Sequence, residues 1–261
     1  GSSSVNHEQG TAYSDAGASA TDNTDGNISA NITVSGFVDA NASGTYILSY
    51  NVSDAAGNNA TTVTRTVTVA DTIIPALILI GADPLNHEQG TAFTDPGATA
   101  SDNIDGDISA SIAVSGTVNS NTSGNYVLTY NVSDTTGNAA VAITRNVIVA
   151  DTIVPTITLT GSSTINHEQG STYTDAGASG FDSVDGDISG SVVVSGLVNV
   201  NVAGTYTLNY TVTDASSNAA IPVFRSVEVV DTVAPIISLL GGAEMTHEQG
   251  TVFTDPGVAA N

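Results

Sequence analysis

Asn125-Tyr126-Val127-Leu128-Thr129-Tyr130-Asn131-Val132 places Tyr126, Leu128, Tyr130 and Val132 on every second position. Period-two alternation of large apolar side chains marks a strand with one face buried, because successive side chains of a strand point to opposite faces. The same phrase returns as Thr45–Val52 and Thr205–Val212, each time just after a glycine (Gly44, Gly124, Gly204). Working outward, every other landmark keeps the same register. His-Glu-Gln-Gly starts at His7, His87, His167 and His247; Arg65, Arg145 and Arg225 recur in phase; Asp-Thr-x-x-Pro opens at Asp71, Asp151 and Asp231. The period is 80 residues without insertion, so the chain is an array of one duplicated unit.

Within residues 72–151, Ile74–Ile80 reads as a first strand led by Pro75, where a missing N–H is tolerated. Leu85–Glu88 reads as a short polar edge strand. Ala92–Ala98 turns into a strand that runs to the acidic loop at Asp102. Ser111–Gly116, Asn125–Val132 and Ala140–Val149 complete the set, with an Asp134–Asn138 turn before the last. No window has helical periodicity. Short strands separated by frequent turn signals predict an all-β fold of tandem immunoglobulin-like β-sandwiches arranged end to end. The expected modules are residues 1–71 (without the first strand), 72–151, 152–231 and, as the opening part of a fourth, 232–261. Because the ends fall out of phase with the module, the expectation is a window from a longer array. Polymerisation by strand exchange between copies is the alternative.

Several phrases together carry a resemblance: Asp-Thr-x-x-Pro, Phe93-Thr94-Asp95-Pro96-Gly97-Ala98, Asp102-Asn103-Ile104-Asp105-Gly106-Asp107-Ile108, and the Gly124–Val132 strand with Asp134. With Thr144-Arg145 they resemble bacterial immunoglobulin-like domains, in particular repeats of a pesticidal crystal protein, related to hyalin-repeat and cadherin-like modules. The resemblance implies a non-enzymatic spacer or adhesive stalk of a secreted or cell-surface bacterial protein. The third copy departs from the pattern at Ser216-Ser217-Asn218 and at Pro222.

Composition narrows the function further. A formal net charge of −23, with Lys+Arg 3 against Asp+Glu 26, excludes a nucleic-acid partner and opposes docking on an anionic membrane. No apolar run is long enough for membrane insertion. Cysteine and lysine do not occur, so neither disulfides nor lysine-based cross-links can stiffen the modules. An 80-residue sandwich has a thin core, which leaves a bound cation as the candidate staple.

The acids are placed for that role. In an immunoglobulin-like sandwich the entering linker, the loop between second and third strands and the final hairpin loop lie at one pole. This gathers Asp71, Asp102, Asp105, Asp107 and Asp134 in the second module, and Asp151, Asp182, Asp185, Asp187 and Asp214 in the third. The cadherin-like resemblance implies that Glu8 or Glu88 of the preceding module joins them. Oxygen-only ligands point to Ca2+. The competing reading is that these acids only form turns, as Asp-Gly pairs do. Asn27 and the missing linker predict that the first module's site is weakest or empty.

His7, His87 and His167 lack the second histidine of a zinc helix and are expected at polar edge positions. Tyr46, Tyr126 and Tyr206 are expected in core or tyrosine-corner roles, with sugar stacking the weaker alternative. Arg65, Arg145 and Arg225 fall on the apolar phase of the last strand, which predicts an ion pair to an acid of the same module or a bulge. The partners that follow are neighbouring immunoglobulin-like repeats, with other copies in a filament or a surface glycan as alternatives. The location that follows is extracellular or at the bacterial cell surface.

Overall fold

In the computed structural model, which describes residues 1–260, two compact units form, Gly1–Ala150 and the part from Asp151 onward. The second module, in the first unit, shows the design. Ala76–Leu79 pairs antiparallel with Ala98–Asp102, Leu79 facing Ala98, and Gly106–Asp107 closes the other edge. The opposing sheet runs Ala113–Ser115, Gly124–Asn131, Ile143–Ala150, Leu85–Glu88. Two sheets whose strands alternate inward and outward side chains bury one shared layer. Here that layer is Leu128, Tyr130, Val147 and Val149, with Leu77, Leu79, Leu85, Phe93, Ile112 and Tyr126 packed against it. The third module repeats the arrangement, Thr156–Leu159 pairing with Ala178–Asp182 and Gly204–Thr211 with Val223–Val230. All-β architecture in small tandem sandwiches is therefore the observed fold.

Leu85–Glu88 is an edge strand, as its polar residues predict, but it joins Ile143–Ala150 in parallel, Val147 opposite Leu85. Other boundaries shift for local reasons. The expected Ser111–Gly116 strand is shortened to Ala113–Ser115, because Ser109–Ser111 forms a single 3₁₀ turn. Ser109 causes it: its Oγ accepts from the Ala100 N–H at 2.9 Å while its own N–H donates to Asp107 Oδ1 at 3.0 Å. Such side-chain bonds compete with the strand ladder. The last strand starts at Ile143, not Ala140, since Ala140 N–H closes the preceding hairpin onto the Val132 carbonyl. The first strand starts at Ala76, behind the buried Pro75.

The hairpin turn before the last strand needs a left-handed residue. Gly57 and Gly137 supply it at φ 89° and 96°, and in the third copy Ser217 takes φ 75°. The Gly-Asn departure seen in the sequence is thus a substitution at a position where a side chain is strained.

The arginines are buried, Arg145 and Arg225 at 0% exposure and Arg65 at 5%. Each pairs with an acid of its own module: Arg65 with Asp15, Arg145 with Asp95 (3.3 Å), Arg225 with Asp175. The same carboxylates accept the hydroxyls of Tyr50, Tyr130 and Tyr210 at 2.7–2.8 Å. Burial, and then the Asp175 hydrogen bond, push the Tyr210 hydroxyl up to about 12. Burial pushes the Asp175 carboxyl up, but bonds from Tyr210 and Arg225 outweigh it and hold the group below its ordinary value. The hydroxyls of Tyr46, Tyr126 and Tyr206 donate to the carbonyls four residues earlier, Ala42, Thr122 and Val202, at 2.8–2.9 Å. That is the tyrosine-corner role, with each ring's polar tip tied to its own backbone.

Candidate metal centres

Three elements of the second module meet at its entry pole. The linker brings Asp71, the end of Ala98–Asp102 brings Asp102, and the hairpin loop brings Asp134; carboxylate oxygens of the three lie within 4.8 Å of one another. In the third module Asp151, Asp182 and Asp214 converge in the same way. Asp71 and Asp151 are 6% exposed, Asp134 and Asp214 8%, and Asp182 2%, while Asp102 is half-buried.

Local hydrogen bonds aim each side chain. Asp102 Oδ1 accepts from the N–H groups of Ile104 and Asp105 at 2.8 and 3.1 Å, and Asp182 Oδ1 does the same for Val184 and Asp185 at 2.7 and 3.0 Å. Both are Asx turns that use one oxygen and turn the other inward. Asp134 is held on both oxygens by Asn138, through its N–H at 2.8 Å and its side-chain amide at 2.7 Å. The same amide donates to the Asp71 carbonyl at 3.2 Å, and Asn218 repeats this on Asp151 at 3.1 Å. Asn138 and Asn218 therefore clamp the entering linker to the hairpin loop. The sequence carries a signal for this, the Asp134-x-x-x-Asn138 spacing repeated at Asp214 and Asn218.

What remains is a set of buried carboxylate oxygens without a donor: Oδ2 of Asp71, Asp102, Asp151 and Asp182. A buried anionic oxygen without a partner costs free energy, and three such carboxylates also repel. Burial, with the charges of Asp102 and Asp134 adding, raises the Asp71 carboxyl above its ordinary value. Burial and Asp182 do the same to Asp151. The donor set is oxygen only, and its orphaned lone pairs fit a hard cation.

The remaining acids singled out from the sequence lie outside the trios. Asp105 accepts the Thr135 N–H at 2.7 Å and hydroxyl at 2.8 Å, and Asp185 accepts the Ala215 N–H at 2.7 Å, so both lace the acidic loop to the hairpin loop. Asp107 and Asp187 turn to the Ser109 and Ser189 N–H groups at 3.0 and 2.9 Å, and to their hydroxyls. Glu8 takes the Thr72 N–H at 3.1 Å and its hydroxyl, bonds that lower its carboxyl and bring the first module's edge strand to the residue after Asp71. Glu88 ends the equivalent strand of the second module, opposite Ala150. In the first module only Asp22 and Asp54 have counterparts in the trios. Backbone bonds from Asp25 and Thr24 lower Asp22, and the Asn58 side chain lowers Asp54.

The histidines serve the edge strand. His7, His87 and His167 face the carbonyls of Thr11, Thr91 and Ser171 at 3.0–3.2 Å and stack edge-on against Tyr13, Phe93 and Tyr173.

Comparison with known proteins fits this anatomy. The family described as bacterial surface protein, Ig-like domain, matches residues 1–69, 77–149 and 157–229. The chain belongs to that family. Its Ig-like repeats also resemble an uncharacterized 81.3 kDa protein of Acholeplasma phage L2, with 32% identity over a 170-residue alignment that covers 58% of this chain. The match spans 22% of that protein's length. Among solved structures the chain is similar to the CBM51-2 and INT domains of Clostridium perfringens ZmpB (19% identity, TM-score 0.26, 34% of this chain and 21% of that one). A second is a lipoprotein of Bacteroides thetaiotaomicron (18% identity, TM-score 0.27, 58% and 98%). Among the described residues no helix is long and apolar enough to cross a membrane.

Proposed function

We propose that these Ig-like repeats form a calcium-stiffened stalk segment of a bacterial surface or secreted protein. The observation that carries the reading is the pair of aspartate trios, Asp71/Asp102/Asp134 with Asp102 half-buried and the fully buried Asp151/Asp182/Asp214, each with buried carboxylate oxygens that no protein donor reaches. The three arginines are all engaged in ion pairs elsewhere, so the chain has no cation of its own for the trios. A divalent ion would neutralise each trio and bind the residue where the chain enters a module to two of that module's loops. Calcium accepts six to eight oxygens in flexible geometry; three carboxylates and water can supply them. Bending at the linker residue would then have to break metal bonds.

Isothermal titration of metal-stripped chain with calcium, paired with thermal unfolding in chelator and in millimolar calcium, tests this. The expected result is two ions per chain at the trios and a higher melting temperature in calcium. Absence of saturable binding, with unfolding the same in both buffers, reduces the acids to turn formers and removes the metal from the reading.

A further inference from the structure

The modules are copies of one unit, yet the first carries a polar cluster that the others lack. It lies on the outer face of the four-stranded sheet. Leu48 and Tyr50 of Gly44–Asn51 are buried in the core, so Asn51 points outward, opposite Thr33 of the edge strand Thr33–Ser35. Asn31 ends the 3₁₀ turn that leads into that strand, and Ser53 bridges Asn59 across the hairpin. With Thr62 these residues line a cleft of about 470 Å³, within the range of small-ligand sites.

In the second module the same positions hold Ser111, Ala113, Asn131, Ser133, Ala139 and Ala142, and in the third Ser191, Val193, Thr211, Thr213, Ala219 and Pro222. Three amides thus become one and then none, and Thr33 and Thr62 become apolar in both. The first strand of a module does not cover this face. With Ala76–Leu79 in place, Ser111, Ala113, Asn131, Ser133 and Ala142 are still exposed.

Hydroxyls fix the amides of the first module. Ser53 Oγ donates to Asn59 Oδ1 and Thr62 Oγ1 to Asn51 Oδ1, each at 2.6 Å. Thr33 Oγ1 donates to the Asn51 carbonyl at 3.2 Å. Each tethered oxygen turns its amide nitrogen away from the hydroxyl that holds it. Among the described residues, neither of these two amide nitrogens nor the Asn31 side chain has a hydrogen-bond partner. The three hydroxyls, with their protons committed, offer lone pairs. The lining side chains therefore present fixed donors beside acceptors and no charge. An ion finds no opposite charge among them, and an apolar ligand leaves the amides unsatisfied. A neutral polyol, whose every hydroxyl is both donor and acceptor, satisfies both sets.

We propose that the first module carries a binding site for a neutral saccharide, a segment of surface glycan, in which Asn31, Asn51 and Asn59 contact the sugar. Ser53 and Thr62 are positioning residues: they remove the rotational freedom of two amides before the ligand arrives. The formal net charge of −23 works against acidic glycans. None of the lining groups is an acid, so the site is independent of the aspartate trios and of calcium.

The test is an NMR titration of the full chain in chelator, read at the asparagine side-chain N–H signals. The probes are cellotetraose, mannotetraose and tetraacetylchitotetraose, with tetragalacturonate as the acidic counterpart. Saturable shifts at Asn31, Asn51 and Asn59 are expected with at least one neutral probe, and none with tetragalacturonate. A variant combining Asn31→Ser, Thr33→Ala, Asn59→Ala and Thr62→Ala gives the cleft the residues of the second module, which this fold already accepts. It should bind about tenfold more weakly or worse. Ser53→Ala should weaken binding about threefold, and Ser53→Thr, the residue type of the third module, should restore it. No saturable shift with any neutral probe, unchanged affinity in the combined variant, or tighter binding of tetragalacturonate overturns the site. The same shifts produced by a neutral glycine-serine peptide overturn the saccharide class. Unchanged affinity in Ser53→Ala overturns the positioning role.

Discussion

Replacing Asp182 by asparagine has opposite consequences with and without calcium, and the geometry says how large they are. Asparagine keeps an oxygen for the Val184 and Asp185 N–H groups, so the Asx turn survives. The change removes one of three negative charges held within 4.8 Å of each other. At that separation each like-charge pair is worth about 3 kcal/mol at an effective dielectric near 20. Side-chain relaxation and solvent screening absorb much of this, leaving an expected gain of about 1–2 kcal/mol for metal-free protein. In calcium at about one hundred times its dissociation constant, the native trio gains about 2.7 kcal/mol from the ion, and the variant forfeits it. The melting temperature of a module this size moves about 4–8 °C per kcal/mol. The variant should therefore melt several degrees above the native chain in chelator and below it in calcium. Calorimetry of the full chain in both buffers, with hydrogen exchange across residues 178–191 to follow the third module, provides the assay. A variant that is destabilised in both buffers by similar amounts would refute the reasoning, because Asp182 would then be a structural acceptor and nothing more.

The Arg145 network offers an independent check on the fold. Arg145→Met keeps the aliphatic stem but deprives Asp95 and the Ala82, Ile80 and Gly97 carbonyls of donors, and should destabilise the second module by about 3–5 kcal/mol in urea unfolding. A loss under about 1 kcal/mol would mean that the guanidinium is dispensable. Stability in chelator should also pass through a maximum between the ordinary carboxylate value of 3.8 and the raised values of Asp71 and Asp151. Asp71 and Asp151 have folded values raised above the ordinary 3.8. The native state thus holds extra protons just above that pH, and stability declines as pH rises through the raised values. Asp175 is lowered from 3.8, so its contribution is full above that pH and disappears as pH falls through the lowered value. Melting temperatures measured from pH 3 to 8 should show the rise and the decline, and calcium should abolish only the decline.

Much of this protein was legible from residues alone. The period of 80, the inward alternation of Tyr126, Leu128 and Tyr130, and the absence of helical periodicity were enough for tandem all-β sandwiches. They are local or repeated properties of the chain, and a strand's faces follow from its alternation. The same holds in part for an arginine on an apolar phase, which called for an ion pair to an acid of its own module or for a bulge, and the pair is what forms. Which acid was not legible, because Asp95 is 50 residues from Arg145 and only the packing of one sheet on the other brings them together. The acidic loops make the same division sharper. Sequence placed five aspartates at each entry pole but ranked none above another. Tertiary structure separated them by where donors fall: Asp107 is turned to Ser109 and Asp105 to Thr135, while Asp71, Asp102 and Asp134 converge with oxygens left over. A carboxylate's composition is the same at all five positions. Its role depends on whether the fold brings an N–H or another carboxylate to its second oxygen, and that is a property of the packed loops alone.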